Sequence, residues 1–246
     1  MRKLLNLLLL ASILVVGIAH RKRIELPDAD DVLDVDHAPI QEPTSEAKFD
    51  FEYFGKSYVV QPVAQYELWG LVVSHNNIAA IDDIYHDSLS VDLKDLCVIW
   101  GPNVEDNNYH KIKFWSEPWS CQYQTDDMTA FRAFSKDALS NNHLLSDDPG
   151  VRSKIRQARI GDQIHLTGWL VNYYPVGLPD HIRKSSTIRT DTGNGACEVV
   201  FVRSFEILAR SAVGWNRCHQ IALLTVYLLA GLKLVLFVRA CFRLYR

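Results

Sequence analysis

Cysteine is scarce in this chain, with five in 246 residues. No two of them have CxxC or zinc-ligand spacing, which excludes a zinc ribbon or a thioredoxin-type redox motif as the basis of the fold. Surplus positive charge is absent too. With 26 Lys and Arg against 29 Asp and Glu, and a pI near 6.3, the chain has no global means of neutralising phosphates. A polyanion would need a local patch. Long apolar runs are missing from the middle of the sequence and confined to its two ends. The remainder suits one globular domain, because 48% of residues are apolar and 22% charged, and the roughly 170 residues between the ends match a single core.

The N-terminus reads Met1, Arg2, Lys3 and then an apolar run from Leu4 to Ala19, broken by Asn6 and Ser12 and followed by His20, Arg21, Lys22 and Arg23. At about 1.5 Å per residue the run reaches about 24 Å, short of the roughly 30 Å hydrocarbon layer. Gly17 and Ala19 satisfy a small-x-small cleavage rule, so a removable export peptide is one reading. The cations that follow make a poor mature start, which favours a retained signal-anchor over 1–23 with snorkelling flanks. At the other end Gln220 to Val238 is almost continuously apolar, after Trp215 and before Arg239, Arg243, Tyr245 and Arg246. A transmembrane helix over 219–238 and a short cationic tail over 239–246 are expected. Lys233 lies near enough to the Arg239 end to run its stem to the interface. Cations on the two sides nearly tie, with Arg2, Lys3, Arg239, Arg243 and Arg246 against Arg21, Lys22, Arg23, Arg210 and Arg217. Long domains cross largely regardless of charge and a short cationic N-tail resists translocation. The expectation is an integral membrane protein with both termini cytoplasmic and an extracytoplasmic domain.

The segment 24–48 carries Glu25, Asp28, Asp30, Asp31, Asp34, Asp36, Glu42 and Glu46, with prolines at 27, 39 and 43. Like charges repel and proline blocks pairing, so an extended, solvated tether is expected. The acidic spacing lacks the glycine and terminal glutamate of an EF-hand loop.

The domain is expected over 49–212. Ser57 to Val60, Tyr66 to Val73, Leu96 to Trp100, Gln163 to Val171 and Cys197 to Leu208 are β-branched and aromatic runs bounded by turn residues, so strands dominate. Ser186 to Thr190, a turn from Asp191 to Gly195, and Ala196 to Val202 read as a β-hairpin. Asp126 or Asp127 is placed to N-cap a helix from Met128 to Leu139, with Met128, Phe131, Phe134 and Ala138 on one face. A second helix, from about Val151 to Ala158, follows Asp148-Pro149-Gly150 and buries Val151 and Ile155. The strand Gln163 to Val171 carries Gly168 inside it, a pattern similar to that of a small Greek-key barrel such as an OB-fold. The fold class expected is α+β, mostly β, with two short helices in the domain and a transmembrane helix on either side.

Site candidates are dispersed. Asp82 and His86 are four apart in a run that includes Asp87, a spacing that puts two metal ligands on one helix face, though a zinc site needs three or four. Asp191-Thr192-Gly193 has the letters of an aspartic-protease triplet but the surroundings of a turn. Arg152, Arg156 and Arg159 fall on one helical stripe suited to anionic groups. Trp115 and Trp119 flank Pro118, as sugar stacking, a protein contact or a packed core would each require. Cys97 and Cys121 are the pair expected to form a disulfide outside the cytoplasm, closing a loop of about 24 residues worth roughly 3 kcal/mol; reduced buried thiols are the alternative.

With no convincing catalytic set and no cofactor expected, the sequence supports a non-enzymatic interaction or assembly module of the cell envelope, held in the bilayer by both ends and engaging an unidentified protein. The alternatives are a membrane-bound metal-dependent hydrolase using the Asp82, His86 and Asp87 region, and OB-like nucleic-acid binding if the domain lies in the cytoplasm.

Overall fold

The computed structural model describes residues 2–33, 35, 37–78, 90–191, 193 and 195–244. In chain order the elements are α1 (Arg2–Lys22), β1 (Ile40–Glu42), β2 (Phe49–Tyr53), β3 (Lys56–Asn76) and β4 (Lys94–Ile99). There follow β5 (Lys113–Glu117), β6 (Ser120–Gln124), α2 (Met128–Ala133), β7 (Leu139–Leu145) and α3 (Pro149–Gln157). The chain closes with β8 (Gln163–Pro175), β9 (Glu198–Ala209) and α4 (Val213–Leu244). Two compact units result, one of Met1–Glu25 with Ala212–Arg246 and one of Leu26–Ser211. Helix and strand are nearly equal, about 36% and 35%, so "mostly β" is too strong for the chain: the two end helices, of 21 and 32 residues, supply most of the helix.

In the first unit α1 and α4 pack antiparallel. His20 and His219 face each other, ring centres 5.7 Å apart, while Lys233 lies beside Leu5 and Asn6 near the other end. Spans Lys3–Lys22 and Val213–Phe242, with mean hydropathy 2.0 and 2.4, are long and apolar enough to cross a membrane. Helix α4 has 32 residues and overruns the expected 219–238 at both ends. Arg239, Ala240 and Leu244 are good helix formers.

In the second unit one long strand organises the sheet. Two expected strands, Ser57 to Val60 and Tyr66 to Val73, are parts of β3, a 21-residue strand that shifts register between Pro62 and Ala64. Proline has no amide hydrogen for the ladder, so the irregularity falls where a bond is already missing. Strand β3 pairs with β2, with β8 along most of its length, and with β4 at its end. From there β4 pairs with β7, β7 runs parallel to β9, and β9 pairs with β8. The pairings β3-β4-β7-β9-β8 therefore return to β3. Inside lie Leu68, Leu96, Leu144, Leu166, Val200 and Phe205, all fully buried.

Gly168 sits at a register shift between β8 and β9, and a Cβ there would lie 2.1 Å from the Phe201 carbonyl oxygen. Only glycine allows the strands to approach so closely. Helix α3 begins at Pro149, two residues before the expected start, with the Asp148 carboxylate accepting from the Val151 amide; it drives Ile155 into the core and leaves Val151 partly buried. Its C-terminal carbonyls receive the ammonium of Lys94, which lies 2.6 Å from Ala158 O. Burial pulls that ammonium down to about 8, against the Asp162 carboxylate.

Three expectations fail. The described residues between 26 and 42 are no free tether: the Gly101 amide donates to Val35 O (2.7 Å), Gln163 Nε2 donates to Asp31 O, and β1 pairs with β3. Apolar residues interleave with the acids here, and Leu26, Val32 and Val35 join a second core cluster with Leu71, Ile99 and Tyr109. Helix α2 stops at Ala133, well short of Leu139. Asp127 caps it as expected, but Met128 and Phe131 are exposed and Ala130 is the buried residue. Residues 139–145 are drawn into the sheet instead. Among the described residues the expected hairpin over 186–202 forms no ladder either. Ser186 N donates to Cys197 O, but β9 takes β7 and β8 as its partners.

Candidate functional site

The site arises from strand register. Along β4 and β7, Asp95 pairs with His143 and Cys97 with Asn141. Along β7 and β9, His143 pairs with Val199 in parallel, which sets Cys197, just before the strand, beside Asn141. Residues two apart share a sheet face. Asp95, Cys97, Asn141, His143 and Cys197 therefore stand together on the face opposite Leu96, Leu144 and Val200.

Two segments cover this face. The β5–β6 hairpin is fastened by the disulfide between Cys97 and Cys121, whose Cα atoms are 5.7 Å apart, and by Ser74 Oγ, 2.8 Å from Ser116 Oγ. Its two-residue turn is Pro118-Trp119, with Trp119 at φ 73°. Proline first and a left-handed residue second make a type II turn, for which a tryptophan incurs backbone strain of about 1 kcal/mol or more. The turn presents the Trp119 carbonyl to Cys197 Sγ at 3.4 Å. The other cover is the segment after β8, where Arg183 and Tyr173 exchange backbone hydrogen bonds of 2.8 and 2.9 Å. Further along it Arg189 pairs with the buried Glu198 at 2.7 Å and lies over the Tyr66 and Trp100 rings. Burial pushes Glu198 up to about 7, with Arg189 opposing.

Between the covers is a cleft of about 860 Å³, within the usual size of a small-ligand site. Trp119, Asn141 and Cys197 line it, and Lys136, Arg183 and Lys184 bring three cations to it against the one acid Asp191. The Arg183 guanidinium lies 4.4 Å from the centre of the Trp119 ring, and its Nη2 is 2.9 Å from His143 Nε2. His143 Nδ1 is 2.6 Å from Asp95 Oδ1, with both side chains almost completely buried. A guanidinium has only donors, so with Arg183 in place Nε2 offers its lone pair and the ring is neutral, its proton on Nδ1 facing Asp95. Burial and Arg183 oppose a charge on the ring, whereas Asp95 and Cys197 favour it and raise His143 above its ordinary value. Asp95 thus draws a proton toward the ring at Nδ1, while Arg183 and the Asn141 amide, 3.4 Å away, both present donors to Nε2. Behind it, the Tyr173 hydroxyl donates to both oxygens of buried Asp92 at 3.1 Å, and burial pushes that carboxyl upward.

Asp82, His86 and Asp87 lie outside the described residues. Among the described residues no group of three or more His, Cys, Asp or Glu converges as a metal cage. Arg152 and Arg156 turn to Tyr53, one over its ring and one donating to its hydroxyl at 2.8 Å. Arg159 contributes its backbone amide to Asp162. The basic stripe is therefore largely engaged within the domain. Trp115 donates to Glu117 beside Lys113, away from the cleft lining, while Trp119 is at its centre. Asp191 accepts from Ser186 Oγ at 2.6 Å. Asp95, Asn141, His143 and Arg183 have no motif spacing. Their signal in the sequence is the run Ser140-Asn141-Asn142-His143 inside a strand flanked by leucines, polar residues where a core strand has no ordinary use for them.

No family model matches this chain, and no curated protein or solved structure matches it. The site alone carries the functional argument.

Proposed function

We propose that this is a membrane-anchored interaction protein whose domain receives an anionic group, carried by a small ligand or by the partner, in the cleft beneath Trp119. The observation that carries the reading is Arg183: a guanidinium 4.4 Å from the centre of the Trp119 ring, lining a cleft that Lys136 and Lys184 line as well. Stacked arginine is preorganised for carboxylates and other planar or tetrahedral anions. Three cations face one acid in this cleft while the chain as a whole carries a net charge of −3, which favours a single anionic group over a polynucleotide backbone. A five-strand ring with one parallel pair, and a helix between its third and fourth strands, supports the small Greek-key barrel of OB type. The Cys97–Cys121 pair supports an oxidising compartment for the domain, outside the cytoplasm.

The test uses the full chain in detergent, titrated with phosphate, citrate and glutarate while thermal unfolding is followed. At least one anion is expected to stabilise the domain saturably, and Arg183→Ala to weaken its binding about 30-fold, as loss of a charge-assisted hydrogen bond does. No saturable stabilisation by any of the three, or equal affinity in wild type and variant, overturns the reading.

A further inference from the structure

The residues beneath Arg183 are arranged for more than holding an anion. We propose that Cys197 is a nucleophile, His143 the base that takes its proton and Asp95 the group that orients His143, in transfer of an acyl group from an ester or thioester whose acyl portion ends in an anionic group. This inference rests on the cleft being the anion-receiving site.

Four observations carry it. Register brings the three residues to one face from β4, β7 and the residue preceding β9. The 2.6 Å contact of buried Asp95 with Nδ1 fixes the ring so that Nε2, the basic nitrogen, is the one that faces the cleft side. Cys197 is partly exposed to the cleft, unlike an inert buried thiol, and its thiol donates to the Trp119 carbonyl oxygen at 3.4 Å. Asn141 Nδ2 lies 3.6 Å from the sulfur and 3.4 Å from Nε2. A carbonyl attacked by that sulfur would develop its negative charge next to this amide, the place of an oxyanion donor.

Arg183 adds substrate dependence. While its Nη2 donates to Nε2, that nitrogen has no free lone pair with which to take the thiol proton. An anionic substituent entering the cleft competes for the guanidinium. Once Arg183 pairs with that substituent, the cation leaves Nε2 while Asp95 still pulls on the ring. Nε2 takes the thiol proton as the thiol turns from the Trp119 carbonyl and the Asn141 amide turns to the carbonyl under attack. The thiolate then attacks the carbonyl carbon. A C–S bond forms, the carbonyl π pair moves to oxygen, and collapse of the adduct expels the alkoxide or thiolate leaving group, which takes the proton from the imidazolium. The acyl-Cys197 thioester is then attacked by water or another acceptor hydroxyl, whose proton passes through His143 to the departing sulfur. Atoms and charge balance with no oxidant, reductant or metal ion.

The experiment measures alkylation of Cys197 in the full chain, located by peptide mapping, with neutral iodoacetamide and anionic iodoacetate. Glutathione serves as the reference thiol. At about pH 6, where an ordinary thiol is almost wholly protonated, iodoacetate is expected to alkylate Cys197 about tenfold or more faster than it does glutathione. The preference of Cys197 for iodoacetate over iodoacetamide should exceed that of glutathione, and Arg183→Ala should abolish the excess. A third probe, p-nitrophenyl glutarate, is expected to release p-nitrophenol and leave a glutaryl group on Cys197; Cys197→Ser, which keeps the shape of the site, should not acquire it. If iodoacetate is preferred but the thiol is no faster than glutathione at about pH 6 and no acyl-Cys197 forms, the anion site stands and the nucleophile is refuted. If neither reagent shows a charge preference, the anion reading fails, and with it the gating by Arg183. The pH profile and the acyl group are read on the wild-type chain, so neither depends on a variant folding.

Discussion

Asp95→Ala is expected to destabilise the domain by about 3–5 kcal/mol, the cost of leaving one member of a buried polar pair without the other. Asp95 and His143 are 1% and 0% exposed in their side chains and joined at 2.6 Å, so neither water nor another carboxylate replaces the lost partner. Nδ1–H would be left buried without an acceptor, and the shorter side chain leaves a void beside it. Asp95→Asn keeps the volume and one oxygen acceptor, and should cost roughly 1–2 kcal/mol. Urea unfolding of the full chain in detergent, followed by the fluorescence of Trp100, which is buried in the core, measures both. Combining Asp95→Ala with His143→Leu should cost clearly less than the sum of the two, because the second change removes the group that the first left unpaired. Additive effects, or a cost of Asp95→Ala below about 1 kcal/mol, would mean that the pair does not hold the site together.

Cleaving the Cys97–Cys121 disulfide is expected to cost about 3 kcal/mol, from the loop entropy of a 24-residue separation. The second effect is local. The disulfide fastens the β5–β6 hairpin over β4, and the hairpin turn supplies both the ring on which Arg183 rests and the carbonyl facing Cys197. A Cys97→Ala, Cys121→Ala chain should therefore lose anion binding at temperatures well below its unfolding midpoint, while its core still reports a folded domain. Unfolding curves with and without reductant, run beside the anion titration, separate the two effects. Equal stability and equal binding in both forms would remove the hairpin from any part in the site.

How much of this was legible in the sequence differs between fold and site. Strands near Leu96, Gln163 and Cys197 are written in local composition, and Asp127 and Asp148 mark helix starts through a side chain and an amide two or three residues away. Local spacing overextends helix α2, because its apolar residues keep helical periodicity past Ala133, where pairing of β7 with β4 wins over local propensity. The hairpin after Ser186 failed for a similar reason. Val199 to Val202 are buried on both faces, the mark of a strand covered on both sides, and such a strand is held by β7 and β8 more strongly than by a turn-linked neighbour. The docking of residues 26–42 was masked by their acids, although Leu26, Val32 and Val35 lie among them. The site was not legible as a unit. Asp95, His143 and Cys197 are separated by dozens of residues and meet only through the registers of β4, β7 and β9, which no spacing rule encodes. Of the individual candidates, Trp119 sits in the cleft and the arginines of α3 are occupied by Tyr53.

The most direct test is a crystal structure of the full chain after reaction with iodoacetate. The expected result is a carboxymethyl group on Cys197 with its carboxylate paired to the Arg183 guanidinium, Arg183 displaced from His143 Nε2, and the Asp95 to His143 contact unchanged. A carboxymethyl group found only on Cys218 or Cys241, or one on Cys197 with Arg183 still bound to Nε2, would contradict an anion-receiving thiol site in this cleft.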